Sequence, residues 1–353
     1  MTLPPNSSLP INLLASVFNR TTATYKFYWF LSILESLSES QSRIMSLYSL
    51  LCHMICNAWY PVHYFKISFG IADRLSNNII EIQKITGIPI DASKKEIIGK
   101  LEENSNKKVM CLINHFNKYV PYRFLSPWFP GADDKTVIES SCNFENQCLY
   151  HIDSNAMKIH INPAWYEYLY KNIRVLRDFC YWNLTLYLQT KNPNVPDIAN
   201  KLIKPVVRDS MLRQRKFWNL VIGHTGPVHC IYTGKPLYMS EYALEHFIPW
   251  SFVSHNLIWN LVPALPSVNS AKNNRLPDLD QFLDRFVRVQ KNAVATVWKI
   301  NPKNKILEDY LMLGDTIQAV ANMSISDFGG KYRRLILPLI QIAENMGYEY
   351  WKI

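Results

Sequence analysis

Between Arg43 and Lys66 the chain runs for 22 residues without a formal charge. A helix of that length could span the roughly 30 Å hydrocarbon core of a bilayer, so the stretch must be taken out of water by lipid or by protein. His53, Asn57, Pro61 and His63 interrupt it, and it closes on the polar-aromatic run NAWYPVHY. These groups fit a buried helix ending before Pro61 better than a membrane span. Burying such a helix needs a large core, and a chain of 353 residues with 48% hydrophobic and only 19% charged side chains can supply one. The length suggests two or three units. The composition excludes wholesale disorder, and 11 glycines exclude collagen-like architectures.

The N-terminal MTLPPNSSLPINLLASVFNR lacks the basic region of a secretory signal. The seven cysteines are odd in number and contain no C-x-x-C pair, a pattern of free thiols in a reducing compartment. No membrane association and a cytoplasmic location are therefore expected.

Hydrophobic periodicity predicts helices over 24–37, 41–58, 92–103, 106–118 and 163–190. Three prolines make 119–131 extended or looped, and Asp-Ser-Asn between two apolar runs predicts a hairpin over 146–161. Residues 191–199 have the composition of a linker. Helices return at 279–298, 304–322 and 332–347, with a break at 323–331.

Charge is distributed unevenly. The formal net charge is +10. Residues 201–300 hold 13 basic and 6 acidic side chains, whereas 301–353 balance at 6 and 6. A local basic block points to a polyanionic partner. Six of the cations fall within 201–216: Lys201, Lys204, Arg208, Arg213, Arg215 and Lys216. They form either a DNA-facing helix or a solvated face, and their position directly before the segment described next favours phosphate contacts, with Arg213, Arg215 and Lys216 as the candidates.

That segment, 229–276, opens with an apolar run and a turn at Gly234-Lys235-Pro236. A second run ends in Glu245-His246, followed by Ile248-Pro249, then Asn260-Leu-Val-Pro, then Asn269 within VNSAKNNR. His246 and Asn260 are 14 residues apart, and Asn260 and Asn269 are 9 apart. Taken alone, a His before a proline is usually structural, and an Asn beside prolines is usually turn chemistry. Together, at these spacings, they resemble the HNH nuclease family, whose site is a ββα-metal hairpin and helix. EHFIPWSF and VNSAKNNR are most similar to the HNH domain of RNA-guided CRISPR nucleases. The resemblance covers about fifty of the 353 residues, and guide RNA is not implied, because nothing outside it looks like those nucleases.

The resemblance implies His246 as general base, Glu245 and Asn269 as hard oxygen ligands of Mg²⁺ or Mn²⁺, and Asn260 as the residue that holds the loop and orients His246. It also implies that Lys272, Asn273 and, more weakly, Arg275 reach phosphates of the substrate. His255 is a rival for the base, without an acidic neighbour. Many relatives bind a structural zinc through two C-x-x-C pairs. Here Thr233 stands where the partner of Cys230 would be, and Leu265-Pro266-Ser267-Val268 replaces the second pair. No structural zinc is therefore expected, and packing of Trp250, Phe252, Trp259 and flanking helices must stabilise the hairpin.

The resulting expectation is a mainly α chain with a small ββα-metal HNH module (α+β) toward the C-terminal half. Residues 1–200 are a helical region for recognition, sensing or assembly. Residues 201–300 are a basic helix plus the nuclease module, and 301–353 a helical tail packed on it. The expected function is metal-dependent hydrolysis of DNA in prokaryotic restriction or anti-phage defence, with a protein partner or homo-oligomer formed through the N-terminal region. The alternatives are a nucleic-acid-binding subunit that uses the fold as a platform, and a nuclease acting on structured RNA.

Overall fold

The computed structural model describes residues 2–204 and 210–352. The chain divides into two compact units, Met1–Pro193 with Ile198–Lys204, and Asn194–Asp197 with Pro205–Ile353. It is mainly helical, with small sheets.

In the first unit, α1 (Tyr25–Ser40) packs on α2 (Leu47–His63). Every residue from Phe27 to Leu34 is buried, because a helix hydrophobic on all sides is stable only when surrounded. The charge-free stretch forms α2 at the centre of this unit, and no helix among the described residues is long and apolar enough to cross a membrane. Two details differ from the sequence expectation. Residues 44–46 form β1 (Ile44–Ser46) before Ser46 caps α2 by accepting from the Ser49 N–H. The helix then continues through Pro61 to His63, since a proline so near the C-terminus removes a single hydrogen bond. β1 pairs antiparallel with β3 (Lys158–Ile161), which pairs with β2 (Tyr150–Asp153) in the expected hairpin. Residues 120–124 are a helical turn rather than extended, because Pro121 lies in the first turn, where its missing donor costs nothing. The expected long helix over 163–190 breaks at Asn172 into Pro163–Lys171 and α3 (Ile173–Lys191).

His63 ends α2, and burial pulls its imidazole down to about 4 against a hydrogen bond with the Ile79 backbone. The unfolded value is about 6.5, so between these limits the unfolded state binds more protons. Stability therefore rises with pH there; the contribution is complete above about 6.5 and is lost as pH falls toward 4. Comparing urea midpoints at pH 7.5 and 5, wild type should lose about 1–2 kcal/mol more than His63→Gln, after allowance for partial exposure. Equal losses would remove His63 as the cause.

The second unit holds α4 (Leu212–Thr225), a two-stranded pair β4 (Val228–His229) and β5 (Pro236–Leu237), and a hairpin β6 (Ala243–His246) and β7 (Leu261–Ala264). After these come α5 (Pro266–Lys272), α6 (Leu279–Ile300) and α7 (Ile325–Asn345). The expected break at 323–331 ends at Ser324, which caps α7 by accepting from Asp327 N–H; Gly329 and Gly330 lie inside the helix. One apolar core runs through α4, both strand pairs, α6 and α7. Phe247 stacks on Phe286 at 4.1 Å between ring centroids, and the Tyr332 hydroxyl donates to Trp259 O at 3.1 Å. The C-terminal segment returns beside Leu276, just after the ββα segment, with Leu276 N donating to Glu349 O and Trp351 N to Leu276 O, each at 2.8 Å.

Candidate active site

β6 and β7 are antiparallel, with Glu245 opposite Val262 and His246 opposite Leu261. α5 begins two residues after β7 with Pro266 in its first turn and packs on β6. Strand, strand and helix thus form a ββα unit around the Glu245-His246 pair.

Glu245 is buried. Burial pushes its carboxyl above the ordinary carboxylate range, and the Lys272 ammonium and a backbone hydrogen bond at His246 pull it back only in part. Lys272 is fully buried, donating to Glu245 Oε1 at 2.5 Å and to His246 O at 2.9 Å. This corrects the expectation that Lys272 reaches a substrate phosphate. An ammonium inside the hairpin–helix interface persists only when paired, and the turn of α5 that faces β6 delivers it to the carboxylate. Asn269 lies three residues earlier on α5, on the same face, and is half-buried. Asn273 terminates the helix at a positive φ of 46° and is exposed, as is Arg275.

His246 is half-buried, and its Nε2 lies 2.9 Å from Asn256 Oδ1. An amide oxygen accepts only from a ring nitrogen that carries a proton, so this pairing suits the Nε2-protonated tautomer. Asn256 was not legible as a site residue. It reaches His246 only because the chain turns through the short helix Trp250–Val253 and the left-handed Ser254 (φ 58°) and doubles back. Gln214 of α4 donates to Asn256 O at 2.7 Å and holds that turn.

Asn260 is fully buried. Its Oδ1 accepts from Ile248 N–H and its Nδ2 donates to Ile248 O, both at 2.8 Å. It clamps the backbone two residues past the histidine. Asp309 accepts from Ile258 N–H at 2.8 Å. Buried Gln290, bonded through its Oε1 to the Tyr310 hydroxyl, donates to Leu261 O at 2.7 Å. No local motif marks Gln214, Gln290 or Asp309, since their partners are 29 to 51 residues away in sequence. His255 Nδ1 accepts from Leu257 N–H at 3.3 Å, and its ring lies 5.5 Å from Trp259, the contacts of a turn residue.

The expected basic helix divides. Lys201 and Lys204 belong to the first unit, where Lys201 is fully buried. Arg208 lies outside the described residues, and α4 starts only at Leu212. Arg213 and Lys216 are exposed. Arg215 is half-buried and donates to Tyr242 O at 3.1 Å with its guanidinium 5.2 Å from the Tyr242 ring centre, bracing the approach to β6.

Glu245 and Asn269 offer the hard oxygen donors that suit Mg²⁺ or Mn²⁺. The ammonium on Glu245 Oε1 shows that a positive charge is accommodated there. Among the described residues no group of three or more His, Cys, Asp or Glu is placed so that it could hold a metal ion, so a cation here would depend on the asparagine oxygen and on water.

The ββα unit and its acid–histidine pair define a nuclease module, and residues 230–278 match the family model described as HNH endonuclease. The protein carries an HNH endonuclease domain within its C-terminal half, which supports a nuclease acting on nucleic acid. No curated protein and no solved structure matches the chain.

Proposed function

We propose that this protein is a metal-dependent HNH endonuclease that hydrolyses phosphodiester bonds of DNA, with His246 as the general base. The observation that carries this reading is the buried Glu245 beside His246 on β6, facing the helix that bears Asn269, all within the matched segment. Glu245 and Asn269 would hold the divalent cation, which when bound would supply neutralisation of the charge developing on the phosphate. His246 Nδ1 takes the proton of the attacking water, while Asn256 keeps the ring in that tautomer and orientation. Asn260 fixes the loop behind the histidine. Lys272 holds Glu245 in place, and Asn273 and Arg275, exposed just after α5, contact neighbouring phosphates in this reading.

The module following a large helical unit matches the layout of restriction and anti-phage effectors, which is an analogy of arrangement. A protein partner for the first unit is supported by Val175, Trp182 and Leu186 of α3, which share one helical face and are all exposed.

The test offers supercoiled plasmid, single-stranded DNA and a structured RNA to purified protein in Mg²⁺, Mn²⁺ or EDTA, with His246→Ala and Asn269→Ala alongside. Metal-dependent cutting of DNA, lost in both variants, is expected. Preferential cutting of RNA would replace the substrate, and no cutting of any nucleic acid in either metal would favour a binding subunit. For the basic surface, Arg213→Ala/Lys216→Ala should weaken binding of unrelated sequences alike and flatten log K against log salt by about 1 to 2 units of slope. An unchanged slope would return these cations to a merely solvated face.

A further inference from the structure

The first unit contains a cationic cavity far in sequence from the nuclease residues. It has a volume of about 400 Å³ and is lined by the loop before α1, the start of α1 and residues 119–126. That size falls in the range of about 300–1,000 Å³ typical of small-molecule sites. Arg20, Lys26 and Arg123 all line it, and no Asp or Glu is among its lining residues. Lys26 is anchored by Val17 O at 3.1 Å and Ser126 Oγ at 3.2 Å. An ammonium has three protons, so one remains for a guest, and Ser126, which accepts from Lys26, keeps its own proton to donate. The Arg123 ion pair with Asp134 is 3.8 Å long and largely exposed, which neutralises little. The buried carboxylate of Asp73, close behind the wall, is consumed by the N–H and hydroxyl of Thr24 and by the N–H of Leu75.

Tyr25 forms a rigid wall, its ring edge-on to Phe116 at 5.1 Å and its hydroxyl accepting from Arg74 N at 2.8 Å. Tyr119 stands at the cavity with 47% of its surface exposed, an aromatic face on which a base can stack. Burial, and after it the charge of Arg123, pulls the Lys26 amine down to about 8. Crowded cations of this kind are stabilised by a bound anion.

We propose that this cavity binds a phosphate monoester, carried by a free nucleotide or by the 5′ end of a nucleic-acid strand. The guanidinium groups of Arg20 and Arg123 grip its oxygens, Lys26 and Ser126 donate from the floor, and the base lies on Tyr119.

The test uses the full-length protein in EDTA and low salt. AMP is titrated calorimetrically, and 5′-phosphorylated and 5′-hydroxyl oligonucleotides of one sequence are compared by fluorescence anisotropy. Wild type, Arg20→Gln/Arg123→Gln and Lys26→Met are measured, with thermal melts to confirm folding. The exposed arginine pair serves if Lys26→Met unfolds. Saturable AMP binding that weakens by about tenfold or more in a folded variant identifies a nucleotide site. A preference for the 5′-phosphorylated strand that disappears in the variants identifies a strand-end site. Absence of both behaviours, or affinities unchanged in the variants, overturns the proposal.

Discussion

His246→Ala lowers the single-turnover cleavage rate by about 10²–10⁴-fold, the contribution of a positioned general base, and leaves the binding of uncut duplex unchanged. On the proposed mechanism the loss falls on rate, because the ring would take part in proton transfer while the proposed phosphate contacts, Arg213 and Lys216, lie on another element. Exogenous imidazole should restore part of the activity by entering the vacated space. Asn256→Ala is expected to cost less than His246→Ala, since the base remains but its ring is no longer held through Nε2. Asn256→Asp, which keeps an oxygen acceptor at that position, should recover more activity than Asn256→Ala. A variant lacking His246 that cuts at the wild-type rate would rule out this base.

Lys272→Met destabilises the second unit by about 3–5 kcal/mol, as when one partner of a buried ion pair is removed. Lys272 is fully buried and 2.5 Å from Glu245, and among the described residues its ammonium is the cation paired with that carboxylate. The Glu245→Gln/Lys272→Met double variant should lose less than the sum of the two single losses, by a coupling of about 0.5–3 kcal/mol. Urea midpoints of the four proteins complete the cycle. Added Mn²⁺ should raise the midpoint of Lys272→Met more than that of wild type, because the ammonium no longer competes for the Glu245 oxygens. Midpoints of Lys272→Met and wild type that coincide without metal would show that the pair does not stabilise the fold. An Mn²⁺ effect equal in both proteins would remove Glu245 from the ligand set.

Much of this architecture is written locally. The charge-free run around α2 has no stable fate outside a core, and the hairpin over 150–161 follows from alternation broken by Asp-Ser-Asn. Boundaries are less legible where a proline or glycine carries the signal of a breaker. Pro61 lies near a helix end, Pro121 lies in a first turn, and Gly329-Gly330 sits inside a capped helix packed beside α6. At each of these positions the cost of the residue is small and tertiary packing outweighs it.

The sequence by itself determined the chemical types at the site, since Glu245, His246, Asn260 and Asn269 recur at spacings that suit one hairpin and helix. Only the tertiary structure decided which of them meet. It turned Lys272 inward onto Glu245, spent both ends of the Asn260 amide on Ile248, and brought Asn256 of the loop onto His246. The physical reason is that a spacing fixes a residue's face on its own element, whereas burial of a charge or an amide is settled by the partners that other elements bring within hydrogen-bond reach.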